Sequence, residues 1–231
     1  LIRLITFDLD NTLWDADPVL LYAEKILYEW LQDQHPSISH DLSFKKMMHL
    51  KNKVLTLHPH LYGKVSTTRL QVLKQFFLDG GYSLAESENQ SQLAFAIFYQ
   101  ARQQVTLFDG AISCLETLRH RYDLASLSNG NADPDIIGLS RFFQFSLNAE
   151  EVESPKPAPD IFLKALALSG LKPNQVIHIG DHLQEDIWAA QQVGIASIWA
   201  NFKGHSPIAE RMPDATITSL VQLPDVIEQL A

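Results

Sequence analysis

Two carboxylates set two residues apart, Asp8 and Asp10, close the apolar run Leu4-Ile5-Thr6-Phe7 and open a polar turn through Asn11 and Thr12. On an extended backbone, residues i and i+2 face the same side, so both side chains are expected to look into one small site. Ionised carboxylates held that close repel unless a cation, a shared proton or open solvent intervenes. A metal-assisted reaction, with one Asp as nucleophile and the other as acid and base, answers that need. The bland alternative is a solvated turn after a strand, since Asp and Asn are ordinary turn residues.

Three later segments bear on the choice. Ser128-Asn129-Gly130 follows an apolar run and offers a hydroxyl and backbone N–H groups. Lys156 stands between Pro155 and Pro157, which fix the origin of its long stem. Gly180-Asp181 ends the run Val176-Ile177-His178-Ile179, and Asp186 follows near the start of a helical pattern. Taken singly, Ser128 is a turn former, Lys156 a solvated loop charge and Asp181 a helix N-cap. Taken in order, with most of them at the ends of predicted strands, they converge. Open parallel sheets bind ligands outside the carboxyl ends of their strands.

The ordered set Asp8-Leu9-Asp10-Asn11-Thr12-Leu13, Ser128-Asn129-Gly130, Lys156-Pro157-Ala158-Pro159-Asp160-Ile161-Phe162 and Gly180-Asp181 with Asp186 resembles the haloacid dehalogenase superfamily of aspartyl-phosphate phosphohydrolases. The resemblance spans nearly the whole chain, and ordered motifs are far more specific than any one alone. It implies that Asp8 attacks phosphorus, while Asp10 protonates the leaving alkoxide and then takes a proton from water. It implies Mg2+ held by Asp8, the Asp10 backbone carbonyl and Asp181, an oxygen set that suits a hard cation. Asp186 would be a further ligand or an acceptor for the metal's waters. Ser128 and Lys156 would hold the phosphoryl oxygens, helped by the backbone N–H groups of Leu9, Asp10 and Asn129. Asn11 stands where many relatives have Gly, and Asn tolerates a left-handed backbone. The dehalogenases themselves lack an Asp at the position of Asp10, because a halide leaves without a proton. Asp10 therefore favours phosphoryl transfer.

The elements that must position these residues read as a doubly wound, Rossmann-like parallel α/β core. Strands are expected at about 2–7, through the 122–127 run, at 143–147, at 176–181, at 196–199 and at 215–217. From Pro18 to about Gln104 the period changes. Val19, Leu20, Ala23, Ile26, Leu27, Trp30 and Leu31 recur at helical steps, as do apolar residues of 70–77 and 93–99. The boundaries expected are a core of 1–16 with 105–231 and an inserted α-helical cap over 17–104, a layout common in the superfamily it resembles.

Composition limits the partners. The 231 residues include 27 acidic side chains against 18 Lys and Arg, a formal net charge of −9. Nucleic acid and anionic membranes reward clustered cations, so neither is an expected partner. An anion site must be positive locally, through Lys156, backbone N–H groups and a metal. The expected partner is a small phosphorylated metabolite, bound by a monomer or weak homodimer. Cys114, the single cysteine, excludes an intrachain disulfide and falls on an apolar helical stripe. With no membrane-length apolar stretch and no secretory leader pattern, a cytoplasmic protein is expected.

Substrate contacts should come from the cap and the site's rim. Arg69 is the candidate for a second phosphate or a hydroxyl, with a surface arginine as the alternative. Trp14 follows the turn and could stack on a ring or fill the core, and His182 lies beside Asp181. His58 and His60 flank a proline and read as loop residues, whereas His178 reads as a hydrogen-bonded core histidine. The stretches 6–14, 127–134 and 138–143 resemble bacterial flavin-pathway phosphatases acting on 5-amino-6-(5-phospho-D-ribitylamino)uracil or flavin mononucleotide. Other sugar phosphates or nucleotides are the alternative substrates. From a different class, a phosphoacceptor or phosphate-binding protein without efficient turnover would share the acids, the Ser and the Lys. The long insertion and the base Asp10 argue against it.

Overall fold

The computed structural model describes residues 1–206 and 212–230. Six strands, β1 (Leu4–Phe7), β2 (Asp123–Ser128), β3 (Phe145–Asn148), β4 (Val176–Gly180), β5 (Ala196–Ala200) and β6 (Ala215–Ile217), form one sheet. Their order is β3-β2-β1-β4-β5-β6 and every neighbouring pair is parallel. All four residues of β1 are buried, as are all five of β4. A parallel sheet covered on both faces demands this, and it explains why these segments read as near-continuous apolar runs, interrupted at Thr6 and His178, rather than alternating ones. The winding reverses between β1 and β4, so a crevice opens beyond their C-terminal ends. Asp8 and Asp181 directly follow those ends.

The chain divides into two compact units, Leu1–Asp15 with Val105–Ala231, and Ala16–Gln104. The inserted unit is all helical: α1 (Ala16–Gln34), α2 (Pro36–Ser39), α3 (Phe44–Leu57), α4 (Val65–Asp79) and α5 (Leu84–Arg102). Val19, Ala23, Leu27 and Leu31 recur every four residues along α1 and are buried. Ala23, Leu27 and Leu31 share one core with Leu50, Leu73, Phe77 and Phe98. Leu20 faces outward, 38% exposed, because it lies off that stripe. Ser83 opens α5 with a reciprocal cap, accepting from the Glu86 N–H while its own N–H donates to the Glu86 carboxylate at 2.9 Å. Among the described residues, no helix is long and apolar enough to cross a membrane.

In the sheet unit the helices are α6 (Ala111–Arg119), α7 (Pro134–Ile137), α8 (Asp160–Ser169), α9 (Ala189–Gln192) and α10 (Leu223–Leu230). Ile161, Phe162 and Ala165 of α8 and Ala189 and Ala190 of α9 pack with Leu4, Leu127 and Val176 from the strands. Each fully buried Leu, Ile or Phe contributes ~1.5–3 kcal/mol. Cys114 lies buried on α6, where loss of hydration pushes its thiol up to about 12. It is a core residue, not a reactive one.

Candidate active site

Asp8 leaves the end of β1 with its N–H still donating to the Ile179 carbonyl at 2.8 Å, so the ladder extends one residue into the site. The turn that follows is tight. Leu9 accepts from the N–H groups of Thr12 and Leu13, and Asn11 takes a left-handed φ of 60°. The side-chain amide of Asn makes this conformation tolerable without Gly.

Lys156 is the hub. The residue is 2% exposed, and its ammonium donates to Asp8 Oδ1 at 2.7 Å, to Asp186 Oδ1 at 2.5 Å and to the Leu127 carbonyl at 2.8 Å. The loop carrying it is clamped by Asn129. The Asn129 side-chain oxygen accepts from the Lys156 N–H at 2.9 Å, and its amide donates to the Lys156 carbonyl at 2.8 Å. The same amide reaches Glu185 Oε2 at 2.9 Å. Asn129 thus acts through its side chain, a role its sequence position does not advertise. Ser128 is buried beside it and accepts from the Gly130 N–H at 3.0 Å.

Asp186 sits in a π-helical turn, Leu183–Trp188, rather than in an ordinary helix start. The Ile187 N–H reaches back five residues to the His182 carbonyl, and such turns recur at functional sites. Asp186 Oδ2 accepts from the His182 N–H at 2.9 Å, while Oδ1 also meets His178 Nε2 at 3.3 Å. His178 Nδ1 lies 2.9 Å from the Thr6 hydroxyl, its register partner across β1 and β4. Burial lowers the His178 pKa and so favours the neutral ring, which lies between Asp186 at Nε2 and the Thr6 hydroxyl at Nδ1. Gly180 makes room for all this. A Cβ there would lie 2.2 Å from the Asp186 Cγ.

Asp8, Asp181 and Asp186 bring carboxylate oxygens within 4.8 Å of one another. Burial drives the Asp8 pKa well up against the pull of Lys156, and the neighbouring acids add to the rise. Burial and the charge of Asp186 lift Asp181 to about 7. Asp186 moves the other way: burial opposes its charge, but Lys156 and His178 outweigh it and hold the carboxyl below the usual range. Burial likewise works against the charge on Lys156, and the carboxylates of Asp186 and Asp8 more than offset it. One ammonium and a neutral imidazole therefore face three acids. The surplus negative charge and the all-oxygen donor set fit a hard divalent cation. Asp8 and Asp181 are the side chains best placed to hold one, since both Asp186 oxygens already accept from protein donors.

The other sequence candidates divide. Trp14 is fully buried and has no face to offer a substrate ring, which corrects the stacking expectation. Its indole N–H donates to Asp10 Oδ1 at 2.8 Å instead. His182 is exposed, and its Nδ1 accepts from the Glu185 N–H at 3.2 Å, capping the π-turn. Arg69 belongs to the inserted unit, where it pairs with Glu24 at 2.7 Å and lies 3.5 Å over the Phe98 ring. Those contacts brace α1, α4 and α5. Sequence reasoning passed over Glu185 and Trp199. The Trp199 indole donates to the Asp181 carbonyl at 2.7 Å, and only the register of β5 beside β4 brings it there.

A family model for haloacid dehalogenase-like hydrolases matches residues 2–194. The chain is 29% identical over 198 residues to 5-amino-6-(5-phospho-D-ribitylamino)uracil phosphatase of Escherichia coli, covering 86% of this chain and 83% of that protein. It is 23% identical to glyceraldehyde 3-phosphate phosphatase of Pyrococcus furiosus, over 99% of this chain and 94% of that one. Among solved structures, one described as a 2-haloacid dehalogenase from Pseudomonas syringae pv. Tomato superposes with a TM-score of 0.96 at 36% identity, covering 100% of both chains.

Proposed function

This chain belongs to the haloacid dehalogenase-like hydrolases, and on that premise we propose that it hydrolyses phosphate monoesters through a covalent phosphoryl group on Asp8. The observation that carries the reading is the second carboxylate, Asp10, present in the turn and held by a dedicated N–H donor. An alkoxide leaving group needs such a proton source and a halide does not.

In the first displacement an Asp8 oxygen bonds to phosphorus, the ester P–O bond breaks and the alkoxide takes a proton from Asp10. In the second, a water oxygen bonds to phosphorus and its proton passes to Asp10, while the bond to Asp8 breaks and restores the carboxylate. As Asp8 becomes an acyl phosphate its charge passes to the phosphoryl oxygens, and the Lys156 N–H now on Asp8 follows it. Ser128 and the backbone N–H groups of Leu9, Asp10 and Asn129 complete the cradle. Mg2+ would be held by Asp8, the Asp10 carbonyl and Asp181, with Asp186 fixed behind them. When bound, the ion neutralises the repulsion between nucleophile and phosphoryl group.

The relatives' names support alkyl phosphates as the substrate class. The Escherichia coli and Pyrococcus proteins are named for phosphates on a ribityl chain and on glyceraldehyde, both alkyl esters whose alkoxides leave only with a proton. A ribityl phosphate is the specific substrate that the first of these supports, with the inserted helices serving as the cap that selects it.

The full-length similarity to a structure described as a 2-haloacid dehalogenase favours a second reading, in which Asp8 displaces halide from a 2-haloacid. Asp10 has no task in that reaction. Phosphate release from aryl, glyceraldehyde and ribityl phosphates, with and without Mg2+, should be run beside halide release from 2-chloropropionate. Mg2+-dependent phosphate release that disappears in Asp8→Asn is the expected result. Halide release without phosphate release would replace the phosphatase reading with the second one.

A further inference from the structure

Asp10 must give a proton in the first displacement and take one in the second, so its carboxylate has to be held in one orientation through both. Trp14 bears on that requirement. A buried indole N–H must find an acceptor, and a main-chain carbonyl would serve. Here the acceptor is the Asp10 side chain, Oδ1 at 2.8 Å, on a Trp that is 0% exposed. The two residues also form a backbone bridge, and Trp14 bridges Leu107 on the returning strand of chain. The Phe108 N–H donates to the Leu13 carbonyl at 2.8 Å, so the indole stands on a paired backbone on both sides. With the Leu9 carbonyl closing the turn over Thr12 and Leu13, the segment 9–14 has little freedom left.

An indole N–H donates and never accepts. It can face only a lone pair, so it holds Oδ1 of Asp10 as an acceptor on that side. Resting on the phosphatase reading, we propose that Trp14 is a positioning residue for the acid and base step: its indole N–H holds Oδ1 and so fixes the orientation of the carboxylate that gives and takes the proton. A carboxylate free to rotate would present either oxygen in several rotamers, and fixing one removes that entropic cost from the reaction step.

The test separates proton delivery from folding. kcat/KM reports the displacement that forms the aspartyl-phosphate, so it excludes the hydrolysis step that all substrates share. An aryl phosphate has a good leaving group and little need of an acid, whereas glyceraldehyde 3-phosphate needs one. Trp14→Phe, and replacement of Trp14 by the sulfur isostere benzothienylalanine, should lower the ratio of alkyl to aryl kcat/KM by about tenfold or more. The isostere keeps the ring's shape, so its melting temperature should stay with the parent even if the Phe variant is poorly folded. Added to Asp10→Ala, neither change should move the ratio further. An isostere that leaves the ratio unchanged, or lowers both substrates equally, overturns the inference while the parent's turnover stands. A parent that releases no phosphate from either ester overturns the reading on which the inference rests.

Discussion

Replacing Lys156 with methionine removes the only cation among three buried groups that need a donor: Asp8 Oδ1, Asp186 Oδ1 and the Leu127 carbonyl. Methionine fills the stem's volume, so the cost is electrostatic. Breaking a buried ion pair by deleting one partner costs ~3–5 kcal/mol, and an orphaned carbonyl adds ~1–3 kcal/mol at most. These terms do not add, because Asp8, already shifted upward, takes up a proton and relieves the pair. The lower figure of ~3–5 kcal/mol therefore stands, and for a chain of this size it corresponds to a fall in melting temperature of roughly 6–20 °C. The pH dependence follows from the sign. Without Lys156 the folded-state pKa of Asp8 rises further above its unfolded value. That protonation stabilises the variant fully below the unfolded value and is lost as pH rises through the folded one. The deficit relative to the parent should therefore be larger at about pH 8 than at about pH 5. Thermal unfolding by circular dichroism in EDTA measures both. A fall of less than about 2 °C, or a deficit that grows toward acid, refutes the view that Lys156 is the charge hub.

Other outcomes follow from neighbouring residues. Asp181 has a folded pKa of about 7, above its unfolded value, so its contribution to metal-free stability is present in acid and lost as pH rises toward neutrality. Asp181→Asn should then be more stable than the parent by roughly 2–4 kcal/mol at about pH 8, and nearly equal below about pH 4. Calorimetry should show Mg2+ stabilising the parent and not this variant; equal stabilisation would remove Asp181 from the metal set. Gly180→Ala puts a methyl into Asp186 and should cost ~1–3 kcal/mol together with most of the phosphate release, measured by melting and turnover. Arg69→Ala loses a partly exposed ion pair and a ring contact, about 1–2 kcal/mol in all. The melting temperature should fall while KM holds; a raised KM with unchanged melting would return Arg69 to the substrate.

How much of this the sequence disclosed depends on the kind of contact. The strand-then-acid pattern was legible because buried parallel strands leave near-continuous apolar runs and polar residues mark their ends. The helical period of 18–104 was legible for the same reason: one face of each helix must be apolar. Pairings across long separations were not legible. Nothing in Ser128-Asn129-Gly130 says that the Asn129 amide grips the backbone of Lys156, or in Ser197-Ile198-Trp199 that the indole reaches Asp181. Trp14 was ambiguous because an aromatic four residues after an acid satisfies core, stacking and hydrogen-bonding readings alike. The π-turn escaped because Leu183–Trp188 has a composition that suits an α-helix equally well; the extra residue per turn is set by the demand that Asp186 reach Lys156 and His178 together.

The place of β1 in the sheet has a consequence for how the chain comes to be folded. The strand is made first, yet its neighbours begin at Asp123 and Val176, and the insertion Ala16–Gln104 lies between. During synthesis Leu4–Phe7 therefore waits with both edges unpaired while the insertion, whose helices pack on one another, is completed first. Leu4-Ile5-Thr6-Phe7 is an apolar, uncharged edge for all that time, the kind of segment that pairs with other chains. The charged turn beginning at Asp8 and the cation Arg3 bracket it closely. The acids that serve the reaction thus also guard the strand before the site exists.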